Sequence, residues 1–248
     1  MKDDRKDDRK DEVGAPLPDT SDKPDASDAP PLETLTQLQG LTLTPERPLI
    51  VSDADGVLLQ FVERFEHFLS ERALWLDMSS FALGGNIKHR DTNRPWPQER
   101  MSELIDDFFL HETDKIAPVP HAAQALQELS QRAQIVVLSN LPLRDRERRA
   151  ANLAAHGMEY PVIAGTGPKG PAVGWLQQQM DAPVFFLDDI HYHIDSVAQH
   201  APATRCVQFL VHEGFRKFAT ETKSADTHVH DWKTAHSWLQ QALTQSGY

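Results

Sequence analysis

The sequence predicts an α/β fold built on a parallel sheet, and three observations carry that prediction. Short unbroken apolar runs (Leu49-Ile50-Val51, Ile135-Val136-Val137-Leu138 and Val184-Phe185-Phe186-Leu187) alternate with stretches of helical spacing. None of these runs shows polar alternation, which suits strands covered on both faces, as parallel strands are. Each run also ends in residues that carry chemistry: Asp53 and Asp55, Ser139, then Asp188 and Asp189. Wound α/β sheets bind ligands at the carboxyl ends of their strands.

Composition sets the outer limits. A chain of 248 residues with 40% hydrophobic content suffices for one large domain, or for a core domain with an insertion. A formal net charge of -12 argues against a protein built to bind nucleic acid or an anionic membrane. No apolar stretch approaches the ~20 residues of a membrane helix. Residues Met1 to Glu12 are largely Lys, Arg and Asp with no apolar core, unlike a secretory signal, so a cytoplasmic protein is expected. The lone Cys206 has no partner for an internal disulfide and reads as buried filler in a strand.

In order along the chain, residues 1–33 are charged and then rich in Pro, Asp, Ser and Ala, and are expected to form a disordered tail. Leu35, Leu38, Leu41 and Leu43 then lay a short segment over the domain edge before Pro45 and Pro48 lead into the first strand. Residues 58–117 read as a helical insert. Phe61, Phe65, Phe68 and Leu69 recur at helical spacing, Gly84-Gly85 breaks the pattern, and a second helix from about Gln98 to His111 follows. This insert stands where a lid over the sheet would act. Beyond it, residues 118–248 continue the core that begins at 34–57. A helix carries Ala122, Ala125, Leu126 and Leu129, and the second strand ends in Ser139-Asn140. A charged helix spans Arg144 to His156, with Ala150, Leu153 and Ala154 inward and Gly157 as its stop. A weak strand at Pro161–Ala164 enters the loop Gly165-Thr166-Gly167-Pro168-Lys169-Gly170, ahead of a helix marked by Val173, Leu176 and Met180. Strands at Val184–Leu187 and Thr204–Val211 follow. Asp231 is placed to cap a last helix from Trp232 to Leu243.

Residues two apart on a strand face the same way, so Asp53 and Asp55 converge on the crevice and Gly56 supplies the turn out of it. Two like charges this close require a cation, a substrate or a shifted pKa. Singly, each feature has a plain structural explanation, in turns, caps or a solvated loop lysine; their joint order is what points to a site. Asp53-Ala54-Asp55-Gly56-Val57, the strand ending in Ser139, Lys169 ahead of a helix, and the strand ending in Asp188-Asp189 together resemble the four motifs of the haloacid dehalogenase superfamily.

That resemblance covers about residues 48–245 and implies a Rossmann-like sheet of five parallel strands in the order 5-4-1-2-3, helices on both faces, and a small type-one cap at 58–117. It implies a hydrolase: a Mg2+-dependent phosphatase that acts on a small phosphorylated metabolite through an aspartyl-phosphate. Asp53 would be the nucleophile and Asp55 the general acid and base. Mg2+ would be held by Asp53, the Asp55 carbonyl and an acid of the last motif, Asp189 foremost with Asp188 behind it, an all-oxygen set suited to that ion. Ser139, Asn140 and Lys169 would bind the phosphoryl oxygens. A phosphomutase of the same superfamily, or a phosphoryl-binding protein without catalysis, are the alternatives. Lys88, Arg90 and Arg94 are the candidates for contacting the rest of the substrate. His193 stands where relatives often carry Asn or Asp. His191 and His193 read as supporting or surface groups, with a Zn2+ or substrate contact as the alternative. Arg144, Arg146, Arg148 and Arg149 read as a solvated helix face, with an anionic substrate as the alternative.

Overall fold

A computed structural model describes residues 29–80 and 83–248. The expected disordered tail therefore falls outside the described residues over 1–28, and its expected end at 33 is too late. Helix α1 already begins at Leu32 (Leu32–Gln39), and its Leu38 is fully buried.

The remaining elements run in chain order: β1 (Leu49–Ser52), α2 (Phe61–Ser70), β2 (Leu74–Leu76), β3 (Ile87–His89), α3 (Met101–Glu112), α4 (Ala122–Leu129), β4 (Gln134–Asn140), α5 (Arg146–Ala155), β5 (Val162–Gly165), α6 (Gly170–Gln177), β6 (Val184–Asp188), α7 (His191–His200), β7 (Arg205–Phe209), α8 (Glu213–Arg216), β8 (Thr227–Val229) and α9 (Trp232–Gln245). Asp231 caps α9 as expected, accepting from the Thr234 amide at 2.8 Å.

The fold is α/β, with every pairing of the main sheet parallel. The sheet has six strands, not the expected five, in the order β5-β4-β1-β6-β7-β8; counted without the separate β2–β3 pair, its first five strands keep the expected order 5-4-1-2-3 as β7-β6-β1-β4-β5. The added strand, β8, is three residues long and carries a histidine at its centre, so it offers no apolar run to read. β1 lies inside the sheet, between β4 and β6. Alternate side chains serve opposite faces. Ile50, Ile135, Val137, Phe185 and Leu187 join a core with α4, α5 and α9, while Leu49, Val51, Val136, Leu138, Val184 and Phe186 join a second core with α1, α6 and α7.

The segment between β1 and α4 is not purely helical. β2 and β3 form an antiparallel hairpin, where a helical insert had been expected. Phe108 of α3 packs edge-on against Phe61, Phe65 and Phe68 of α2, at ring separations of 5.0, 5.2 and 5.3 Å. The segment leaves and rejoins the core through one crossing, where Gln60 N–H donates to Ala117 O at 2.9 Å and Val119 N–H to Leu58 O at 2.8 Å. No helix among the described residues is long and apolar enough to cross a membrane.

Candidate active site

Three neighbouring parallel strands deliver the candidate groups to one place. At the end of β1, Asp53 N–H donates to Leu187 O of β6 at 2.8 Å, which fixes the buried Asp53 beside the end of that strand. The chain then folds back on Ala54, whose carbonyl accepts from the amides of Leu58 and Leu59, each at 2.8 Å. Gly56 makes this turn possible in two ways. Its φ is 79°, and a Cβ there would lie 2.5 Å from Asp189 Oδ2, so only glycine lets the Asp189 carboxylate approach. From the far end of the chain, Trp232 braces the same turn by donating its indole N–H to Val57 O at 2.8 Å.

Lys169, at the mouth of α6, is buried and divides its ammonium between Asp53 Oδ1 and Asp188 Oδ2, both at 2.6 Å. Asp188 Oδ1 accepts from the Ile190 amide at 2.9 Å, so both oxygens of that carboxylate are engaged. Asp189 differs: its Oδ1 is buried and has no partner. Carboxylate oxygens of Asp53, Asp188 and Asp189 all lie within 4.8 Å of one another.

Three carboxylates against one ammonium leave negative charge uncompensated. Burial raises Asp53 from 3.8 to about 7, opposed by Lys169 and reinforced by Asp188 and Asp55. Asp189 is raised by burial and by the charges of Asp188 and Asp53. Burial alone would lower the Lys169 ammonium, but Asp188 and Asp53 outweigh it and raise it. A hard divalent cation fits this donor set, which is all oxygen and includes one buried carboxylate oxygen with no other partner.

Ser139, near the end of β4, is fully buried and its Oγ has no partner. The Asn140 amide donates to Gly167 O at 2.9 Å, so it braces the loop that carries Lys169; its Nδ2 also lies 3.4 Å from His193 Nε2. Burial lowers His193 to about 4, so the ring is neutral and its Nε2 can accept. The candidate metal cluster contains neither His191 nor His193. Among the other proposed residues, Lys88 pairs with Asp77 at 2.5 Å and Arg90 donates to Leu74 O at 3.1 Å, contacts made within the hairpin region rather than with the carboxylate cluster. Arg94 closes the turn that follows β3, its carbonyl accepting from the His89 amide at 2.9 Å.

The reading of Arg149 as part of a solvated helix face is overturned, since the residue is fully buried. The expected inward face of α5 was Ala150, Leu153 and Ala154; the buried residues are Arg149, Asn152 and Leu153. Arg149 is 0% exposed and forks onto Asp55, Nη1 to Oδ1 at 2.6 Å and Nη2 to Oδ2 at 3.1 Å. The signal was present in the spacing of Asp145, Arg149, Asn152 and Leu153, which recur as one helix face, but a polar face was read as a solvated one.

No protein-family model matches the sequence, and no curated protein does. Solved structures do match. A HAD family hydrolase from Deinococcus radiodurans R1, solved with bound phosphate and sodium, aligns over 82% of this chain and 97% of its own, with 16% identity and a TM-score of 0.55. A haloacid dehalogenase-like hydrolase from Streptococcus pneumoniae aligns over 80% of this chain and 100% of its own, with 13% identity and a TM-score of 0.56. With Asp53, Lys169 and the acidic pair gathered at the ends of neighbouring parallel strands, the chain has the fold of the haloacid dehalogenase-like hydrolases.

Proposed function

We propose that the chain is a cytoplasmic, Mg2+-dependent phosphatase that hydrolyses a small phosphomonoester through an aspartyl-phosphate on Asp53. The observation that carries this reading is the buried cluster itself: Asp53, held by Lys169, lies beside the free oxygen of Asp189, with the unpartnered Ser139 hydroxyl on the adjacent strand.

Asp53 attacks phosphorus, forming an acyl phosphate as the ester P–O bond breaks, and Asp55 gives its proton to the departing oxygen. Asp55 then takes a proton from a water whose oxygen bonds to phosphorus, and the bond to Asp53 breaks, releasing inorganic phosphate and restoring the carboxylate. Ser139 and Lys169 hold phosphoryl oxygens through both steps. Asp53 and Asp189 are the ligands assigned to Mg2+ together with the Asp55 carbonyl. Asp188 stands behind them, since its oxygens already serve Lys169 and Ile190. When bound, the ion supplies positive charge against the incoming phosphate. The insert at 58–117 is assigned the role of a cap, and with it the choice of substrate.

The test is phosphate release from a panel of phosphomonoesters, with Mg2+ and with EDTA, for the wild type and Asp53→Asn. Turnover that needs Mg2+ and falls by about 10³-fold or more in the variant is expected, since the variant lacks the nucleophile. Wild-type protein that is folded, saturated with Mg2+ and inert towards every ester overturns the phosphatase reading.

A further inference from the structure

We infer that Arg149 is the positioning residue for Asp55: its guanidinium fixes the carboxyl group that gives its proton to the leaving oxygen and, as the carboxylate, then takes one from the attacking water. The inference rests on the phosphatase reading above.

Burying a guanidinium costs several kcal/mol unless it is charge-paired and hydrogen-bonded. Arg149 has no exposed surface, and among the described residues Asp55 is the carboxylate it pairs with. The two bonds run from two different nitrogens to two different oxygens, so they set both the position and the plane of the carboxylate. Arg149 Nε is buried without a partner.

The surroundings leave the guanidinium little freedom. It lies 6.0 Å from the Phe109 ring centroid, and one turn further along α5 Asn152 anchors the helix by donating to Ile116 O at 3.1 Å. Asp53 and Asp55 repel each other across the site, and each is held by its own cation, Asp53 by Lys169 and Asp55 by Arg149. The Asp55 side chain remains 17% exposed, so it stays open to an arriving ester while its orientation is fixed. Because Arg149 sits on a core helix and Phe109 on the insert, the fork also joins the acid/base group to the seam between the two.

The experiment compares kcat/KM for p-nitrophenyl phosphate, whose leaving group departs without a proton, with that for glycerol phosphate, whose alkoxide needs one. Wild type, Arg149→Met, Arg149→Lys and Asp55→Asn are measured with Mg2+, and each is checked for folding by thermal melt. In Arg149→Met, kcat/KM for glycerol phosphate is expected to fall about 10²-fold or more and that for p-nitrophenyl phosphate by less than about 10-fold, the pattern of a lost general acid. The aspartyl-phosphate should then accumulate, seen as a burst of p-nitrophenolate stoichiometric with enzyme, because water activation fails too. Arg149→Lys should lie between, since an ammonium keeps the charge but not the fork. Asp55→Asn should reproduce the pattern, and adding Arg149→Met to it should cost little more.

Equal losses on both esters, or no loss, overturn the assignment. Failure of both Arg149 variants to fold makes the residue structural and overturns it as well. A wild type inert towards both esters is a different result: it removes the phosphatase reading itself and this inference with it.

Discussion

Asp53 illustrates how a site group differs from a core group at the level of one residue. Its folded pKa is raised from 3.8 to about 7, chiefly because burial disfavours the charge. An acid that is harder to ionise when folded stabilises the protein below its unfolded pKa, and this stabilisation is lost as pH rises through the folded value. Metal-free protein should therefore lose stability between pH 4 and pH 7 from this group. Asp53→Asn should flatten that slope and melt higher than wild type at pH 7.5 in EDTA, by on the order of 1–3 kcal/mol. Mg2+ should then raise the melting temperature of wild type more than that of the variant. Melts across pH, with and without the ion, check each part; a variant less stable than wild type in EDTA at pH 7.5 contradicts it. Asp53, Lys169, Asp188 and Asp189 were legible because each follows a strand or opens a helix that periodicity could place. Arg149 was not read as a buried residue, because its partner Asp55 lies far away in sequence and no local pattern shows which way a polar side chain turns.

The informative element is the insert, and what matters is how it is fastened. Its end is tied to α5 by Arg148, which donates to Leu110 O at 2.6 Å, to Phe109 O at 3.1 Å and to Asp114 at 2.5 Å. Arg144 adds a pair with Asp106 at 2.8 Å. Two of the Arg148 contacts cap carbonyls near the C-terminus of α3, where free acceptors and the helix dipole both favour a cation. Arg148→Ala should cost only about 1 kcal/mol overall, because the side chain is partly exposed and its ion pairs are screened. Amide exchange at the end of α3 should quicken while that of α9 does not, as hydrogen-exchange mass spectrometry would report. Equal protection of α3 in the variant and the wild type would rule out the tie. The two helices of the insert were readable from their apolar spacing, Phe61, Phe65, Phe68 and Leu69 in the first and Met101, Leu104, Ile105 and Phe108 in the second. The hairpin was not, because three-residue strands are too short to establish a period, and Gly84-Gly85 resembles a linker as much as a turn.

On the scale of the whole molecule, an open sheet ends in two unpaired edges, and each is a template for another strand. One edge strand is β8, which is held by register with β7 rather than by any apolar run of its own. The other is β5, and α1, most of which the sequence assigned to no element, protects it. Gln37 donates its amide to Ala164 O and accepts from Ala164 N–H, both at 2.9 Å, so one side chain occupies the two groups a neighbouring strand would use. Thr34 adds a weaker contact to the same carbonyl at 3.4 Å. Gln37→Ala should therefore do two things together. It should cost about 1–2 kcal/mol for two lost hydrogen bonds, and it should raise self-association with concentration by freeing the β5 edge. Gln37→Glu should resist association better than the alanine variant, since a carboxylate can accept from Ala164 N–H and its charge repels a second copy. Ala164 lies on β5, separated from β1 by β4, so kcat of the monomeric fraction should stay near the wild-type value. Sedimentation velocity over a concentration series, read beside the melting temperature, separates the two effects. A Gln37→Ala protein that stays monomeric and melts with wild type would mean that the edge is protected by the body of α1 rather than by this amide.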